Sequence, residues 1–124
     1  MSDVQRSRKH VVEAYFDGFR RSDHPQILGL LTDDVVWDLP GYKHLRGKAA
    51  FDAEIEGEGM AGPPVLDVDR LIEEGDTVVA LGIGSGEQIG GTGFRFAFCT
   101  VLTFTGALIS RVESYVVPLP SDVA

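Results

Sequence analysis

The apolar residues of this 124-residue chain repeat at helical spacing in its first part and at a spacing of two in its second. Val11, Val12, Tyr15, Phe16 and Phe19 form one stripe of a helix, with Arg8, Glu13, Asp17 and Arg20 elsewhere on the wheel. From Val65 onward, Leu66, Val68 and Ile72 alternate with Asp67, Asp69 and Glu73, as in a strand with one wet face. A chain that spends its helices first and its strands last segregates them, and helices on one face of an antiparallel sheet define an α+β fold.

The punctuation fills in the order. Ser22-Asp23-His24-Pro25 supplies a capping residue and an early proline, the start of a second helix with Ile27, Leu28, Leu30 and Leu31 on its buried side. Val35 to Leu39 reads as a strand stopped by Pro40-Gly41. Lys48 to Glu56 reads as a third helix that buries Phe51 and Ile55 and stops at Gly57. Strands follow over Thr77–Gly86, Phe94–Phe104 and Leu108–Val117, with Pro118 and Pro120 ending the regular structure. Gly82, Gly84 and Gly86 predict bulges or a bend in a curved sheet. They lie between strands rather than between a strand and a helix, so they are no phosphate-binding loop. Residues 1–124 read as one domain, without repeat or linker.

Several function classes drop out on composition. A net charge of −8 disfavours nucleic acid and anionic membrane as partners, because both demand a basic surface. No apolar run is long enough to span a bilayer, and the polar start, Met1 to Lys9, leads into no signal-type segment, so the expected location is cytoplasmic. The one cysteine, Cys99, sits in an apolar stretch and reads as core filler. His10, His24 and His44 lack the helical pairing of a zinc site, so no metal is expected.

Four stretches, in their order and spacing, carry a resemblance: Ala14-Tyr15-Phe16, Leu31 to Trp37, Leu45-Arg46-Gly47-Lys48, and Ile109 to Tyr115. Together they resemble the SnoaL-like and ketosteroid-isomerase-like families of the nuclear-transport-factor-2-like superfamily. The resemblance implies a cystatin-like cone, in which a curved antiparallel sheet wraps around three N-terminal helices. It also implies an apolar pocket at the open end for a small, often ring-shaped molecule, no cofactor, and a homodimer that packs sheet against sheet.

Ketosteroid isomerisation needs a carboxylate base and two donors to the developing enolate, a tyrosine and a carboxylic acid held neutral. By the resemblance, Tyr15 matches the tyrosine, Leu39 the base and Thr100 the acid donor. Leu39 takes no proton, and its neighbour Asp38 should turn to the opposite face of the strand unless a bulge intervenes. Tyr15 reads equally as core packing with a satisfied hydroxyl. The epoxide-hydrolase branch places a carboxylate where this chain has Ser114. Tyr15, with Asp38 or His44 to move protons, is therefore the candidate catalytic set.

The candidate ligand-binding residues come from three strands. Phe96, Phe98 and Thr100 share one face of the long strand, and Trp37 and Leu39 join them from the first strand. The last strand adds Val112, Ser114 and Val116. The functional expectation is a cofactor-independent isomerase, cyclase or hydrolase of a small hydrophobic cyclic molecule. The alternative is a non-catalytic small-molecule-binding or dimeric scaffold module.

Overall fold

The structure, a computed structural model, describes residues 7–56, 62–91 and 93–120. Gly57, the expected stop of the third helix, lies outside the described residues. Helix α1 spans Arg8–Arg21; the Ser7 side chain caps its first turn by accepting from the His10 backbone N–H. Its buried stripe is Val12, Tyr15, Phe16 and Phe19, as the helical spacing predicts. Arg8 donates to the carbonyls of Gly75 and Gly106, and Arg20 to that of Leu66 at 2.7 Å, so both ends of α1 are tied to the sheet.

Helix α2 spans only His24–Leu28, shorter than its apolar pattern predicts. The reason is a competing partner. The Leu30 carbonyl accepts from the Ile109 N–H at 2.8 Å, and Leu31 pairs with Ile109, so the chain enters strand β1 (Leu31–Leu39) at once. Leu31 is buried as a strand residue, not a helical one. Strand β2, Lys43–Arg46, is absent from the sequence reading because its residues show no apolar alternation. It forms because Pro40-Gly41 reverses the chain, Gly41 taking a positive φ of 87°, and lays Lys43 beside Leu39 and His44 beside Asp38. Helix α3 follows over Lys48–Glu54 and buries Phe51.

The remaining strands are β3 (Val65–Glu74), β4 (Thr77–Glu87), β5 (Gly93–Thr105) and β6 (Leu108–Leu119). Six strands make one curved, open sheet in the order β2-β1-β6-β5-β4-β3. Pairing is antiparallel throughout except between β1 and β6, which run parallel. Strand β6 continues through Pro118, which the sequence reading took as a stop. Its pairing with β1 ends at Glu113, so beyond that point β6 has a free edge that tolerates a residue without an N–H.

The sheet is curved as the β4 glycines predict, and a bulge lies opposite Gly82, but the extra residue is on β3 rather than on β4. The β4–β5 register runs unbroken, and the register shift between β3 and β4 falls between Val68 and Arg70. Gly82 and Gly84 instead stand opposite Phe98 and Phe96, and a Cβ there would lie 2.7 Å and 2.3 Å from the respective ring tips. The missing side chains give the two rings room to lie flat over β4.

The core lies between the helices and one face of the sheet. Trp37 stacks on Phe51 at 4.3 Å, Phe16 on Phe98 at 5.6 Å, and Tyr15 meets Phe19 at 5.0 Å. No helix of the described residues is long and apolar enough to cross a membrane.

Candidate functional site

Alternation along β1, β5 and β6 aims every second side chain at the helices. Between α1, the end of α3 and the sheet, those side chains line a cavity of about 280 Å³ that opens to solvent. Its wall is made by Tyr15, Phe16 and Phe19 from α1, Trp37 and Leu39 from β1, and Phe94, Phe96, Phe98 and Thr100 from β5. Ser114 and Val116 from β6, and Pro64 and Leu66 around the start of β3, continue it. Glu54, Ile55 and Glu56, at the end of α3 and just beyond, complete the lining.

The polar groups on this wall are few. Tyr15 is 2% exposed, and its hydroxyl has no hydrogen-bond partner among the described residues. The same is true of Thr100, at 5%. Thr32 Oγ1 is the one fully sealed side-chain polar atom without a partner among the described residues; the Tyr15 and Thr100 hydroxyls keep access to the cavity. The Ser114 hydroxyl accepts from Trp37 Nε1 at 3.0 Å, which fixes the indole on the wall and leaves the serine hydrogen to donate elsewhere. Burial raises the Tyr15 pKa above the ordinary tyrosine value, so the phenol is a neutral donor and not a phenolate.

Two carboxylates reach the cavity that the sequence reading did not single out. Glu54 is paired with Lys43 Nζ at 2.9 Å and Glu56 with His24 Nε2 at 2.7 Å. The other nitrogen of His24 meets Asp52, so both ring nitrogens face carboxylates and the imidazole pKa is raised, chiefly by the hydrogen bond to Asp52 and then by that to Glu56. These pairs join α3 to α2 and β2. The only sequence signal for them was the i, i+4 spacing of Asp52 and Glu56 at the end of a short helix, which reads as a solvated face; Glu54, two residues from each, has no such signal.

Of the predicted site residues, Tyr15, Trp37, Leu39, Phe96, Phe98, Thr100, Ser114 and Val116 come together on the cavity wall. Val112 does not; it is fully buried in the core. Asp38 and His44 do not line the cavity either. Strand alternation turns Asp38 to the sheet's outer face, where Arg111 Nη2 holds it at 3.1 Å and His44 Nδ1 stands 3.5 Å away. His44, more than half exposed, sits beside it on β2, away from the cavity. No group of His, Cys, Asp and Glu among the described residues is arranged to hold a metal.

Known proteins with this arrangement are numerous. A candidate ketosteroid isomerase from Kribbella flavida is 19% identical, with a TM-score of 0.78 over 94% of this chain and 82% of its own. A candidate polyketide cyclase from Xanthomonas campestris is 23% identical, with a TM-score of 0.78 over 87% and 88%. TerC, co-crystallised with polyporic acid, is 25% identical, with a TM-score of 0.77 over 86% and 88%. No curated protein sequence matches. The model of the SnoaL-like domain matches residues 12–112, most of the chain, and the protein therefore belongs to the SnoaL-like domain family.

Proposed function

We propose that the protein binds a small, largely apolar cyclic molecule that carries an oxygen acceptor, with its rings against Phe96, Phe98 and Trp37 and its oxygen toward Tyr15. The observation that carries this reading is the pair of buried, unpartnered hydroxyls, Tyr15 and Thr100, on an otherwise aromatic wall. Both hydroxyls open onto the cavity, where a ligand oxygen would gain a hydrogen bond worth about 0.5–1.5 kcal/mol net. The size supports a compact ligand, because 280 Å³ sits just under the roughly 300 Å³ at which sites for drug-sized molecules begin. One or two rings suit it better than four.

Titration with 2-naphthol, followed by calorimetry, tests the reading. Tyr15→Phe should weaken binding about tenfold, the worth of one hydrogen bond near 1.4 kcal/mol, and leave the fold intact because the hydroxyl holds no protein partner. Equal affinity in the two proteins would remove Tyr15 from the site.

A catalytic reading, as a cofactor-independent isomerase, cyclase or hydrolase, is favoured by a different observation. Glu54 brings a carboxylate to the same cavity as the Tyr15 donor, and acid–base chemistry needs both kinds of group. Turnover of a bound cyclic ketone that vanishes in Glu54→Gln would establish it; binding without turnover leaves the protein a carrier.

We infer also a homodimer through the sheet's outer face. The paired rows Leu81–Cys99–Tyr115 and Ile83–Ala97–Val117 make that face apolar, with Tyr115 and Val117 45% and 59% exposed. Its flanks carry both signs, Asp67 and Arg70 on β3 and Arg111 and Glu113 on β6, so a second copy related by a two-fold axis can set opposite charges against each other. Sedimentation should give a dimer that Tyr115→Glu splits; a monomeric native chain would refute it.

A further inference from the structure

Charge is distributed over the cavity wall in one sense only. Among the described residues, the carboxylates of the lining are Glu54 and Glu56; at 22% and 45% side-chain exposure they are more open to solvent than Tyr15, Phe98 and Thr100, which sets them at the rim. No lysine, arginine or histidine among the described residues lines it. The two side chains that pair with these carboxylates, Lys43 and His24, hold them from outside the lining. Glu54 is 22% exposed, partly withdrawn from water, and on such a surface a charge acts at a lower effective dielectric than in bulk solvent. The chain's net charge of −8 adds a background of the same sign.

We propose that Glu54 and Glu56 form a selectivity rim that admits uncharged ring compounds and rejects their anionic counterparts. The inference rests on the binding reading above and narrows its ligand class: a neutral ketone, phenol or alcohol enters, and a carboxylate or phosphate ester of the same ring does not. An anion would have to pass two like charges and settle in a cavity that offers it hydroxyl donors and no cation. The partners of the rim carboxylates serve this role by fixing their direction. Nζ of Lys43 holds Glu54 Oε1 and Nε2 of His24 holds Glu56 Oε2.

The test compares 2-naphthol with 2-naphthoate, ring systems of one size that differ in charge at neutral pH. Affinities are measured by calorimetry on the native protein and on the double variant Glu54→Gln/Glu56→Gln, each in dilute and in concentrated salt. The native protein should prefer 2-naphthol at least about tenfold in dilute salt, and concentrated salt should narrow the gap by screening the rim. In the double variant the ratio should fall about fivefold or more, since both like charges are gone while the apolar wall that disfavours any ion remains. A ratio unchanged in the variant assigns the discrimination to desolvation alone and overturns the proposal. So do equal affinities in the native protein. If neither probe binds, the binding reading itself fails, an outcome distinct from the other two because it shows in the 2-naphthol titration alone.

Discussion

Two alanine substitutions one turn of the pleat apart should have very different costs. Gly82 and Gly84 both face the helices from β4, and neither takes a left-handed φ, so alanine fits the backbone at each and gains about 0.4–1 kcal/mol by stiffening the unfolded chain. The costs separate at the neighbours. At Gly84 a Cβ would sit 2.3 Å from Phe96 Cζ, so the ring must withdraw by 3.4 − 2.3 = 1.1 Å to reach ordinary contact. Phe96 is only partly buried and has the cavity beside it, so it can move. At Gly82 the Cβ would sit 2.2 Å from the Asp67 carbonyl oxygen, which belongs to the β3 backbone, and 2.7 Å from Phe98, whose ring is stacked on Phe16. Relief there means parting β3 from β4. Overpacking costs run about 1–3 kcal/mol, so Gly84→Ala should end within about 1 kcal/mol of the native protein and Gly82→Ala about 2–3 kcal/mol below it. With a urea slope near 2 kcal/mol per molar, the midpoints should differ by about 1 M. Gly84→Ala should also weaken 2-naphthol binding, because the displaced ring occupies the cavity. Equal midpoints, or Gly84→Ala as the less stable of the pair, would refute the argument that immobile backbone and mobile ring set the cost.

Removing the Ser114 hydroxyl with Ser114→Ala leaves Trp37 Nε1 without its acceptor in a residue only 7% exposed, and stability measured by urea unfolding should drop by about 1–2 kcal/mol; no loss would mean the indole is satisfied otherwise. His24 predicts a pH effect. Its folded-state pKa lies above the ordinary value of 6.5, so the stabilisation from its two carboxylates is complete below about pH 6.5 and fades as pH rises through the raised pKa. The melting temperature of the native protein should fall relative to His24→Gln across that rise, and parallel curves would show that the clamp on α3 contributes nothing.

Much of the fold was legible because local periodicity and burial agree. The α1 stripe needs only helical spacing to place Tyr15, Phe16 and Phe19 inward, and alternation alone puts Phe96, Phe98 and Thr100 on one face of β5. Alternation likewise foretold that Asp38 turns outward, which the ion pair with Arg111 accompanies. What the local pattern misjudged was decided by distant backbone. Leu30 and Leu31 look helical until Ile109, far along the chain, offers a strand to pair with. Lys43–Arg46 has no strand character except beside β1.

The sequence by itself determined the α+β order, the inward faces and the apolar character of the wall, because each follows from the period of side chains along one element. Only the tertiary structure decided which polar groups share the cavity. It left the Tyr15 and Thr100 hydroxyls without partners among the described residues, set His44 on β2 beside Asp38, and brought Glu54 and Glu56 from the end of α3 to the cavity. The reason is that a hydrogen bond or an ion pair depends on where two remote elements come to rest, and no spacing along the chain encodes that distance.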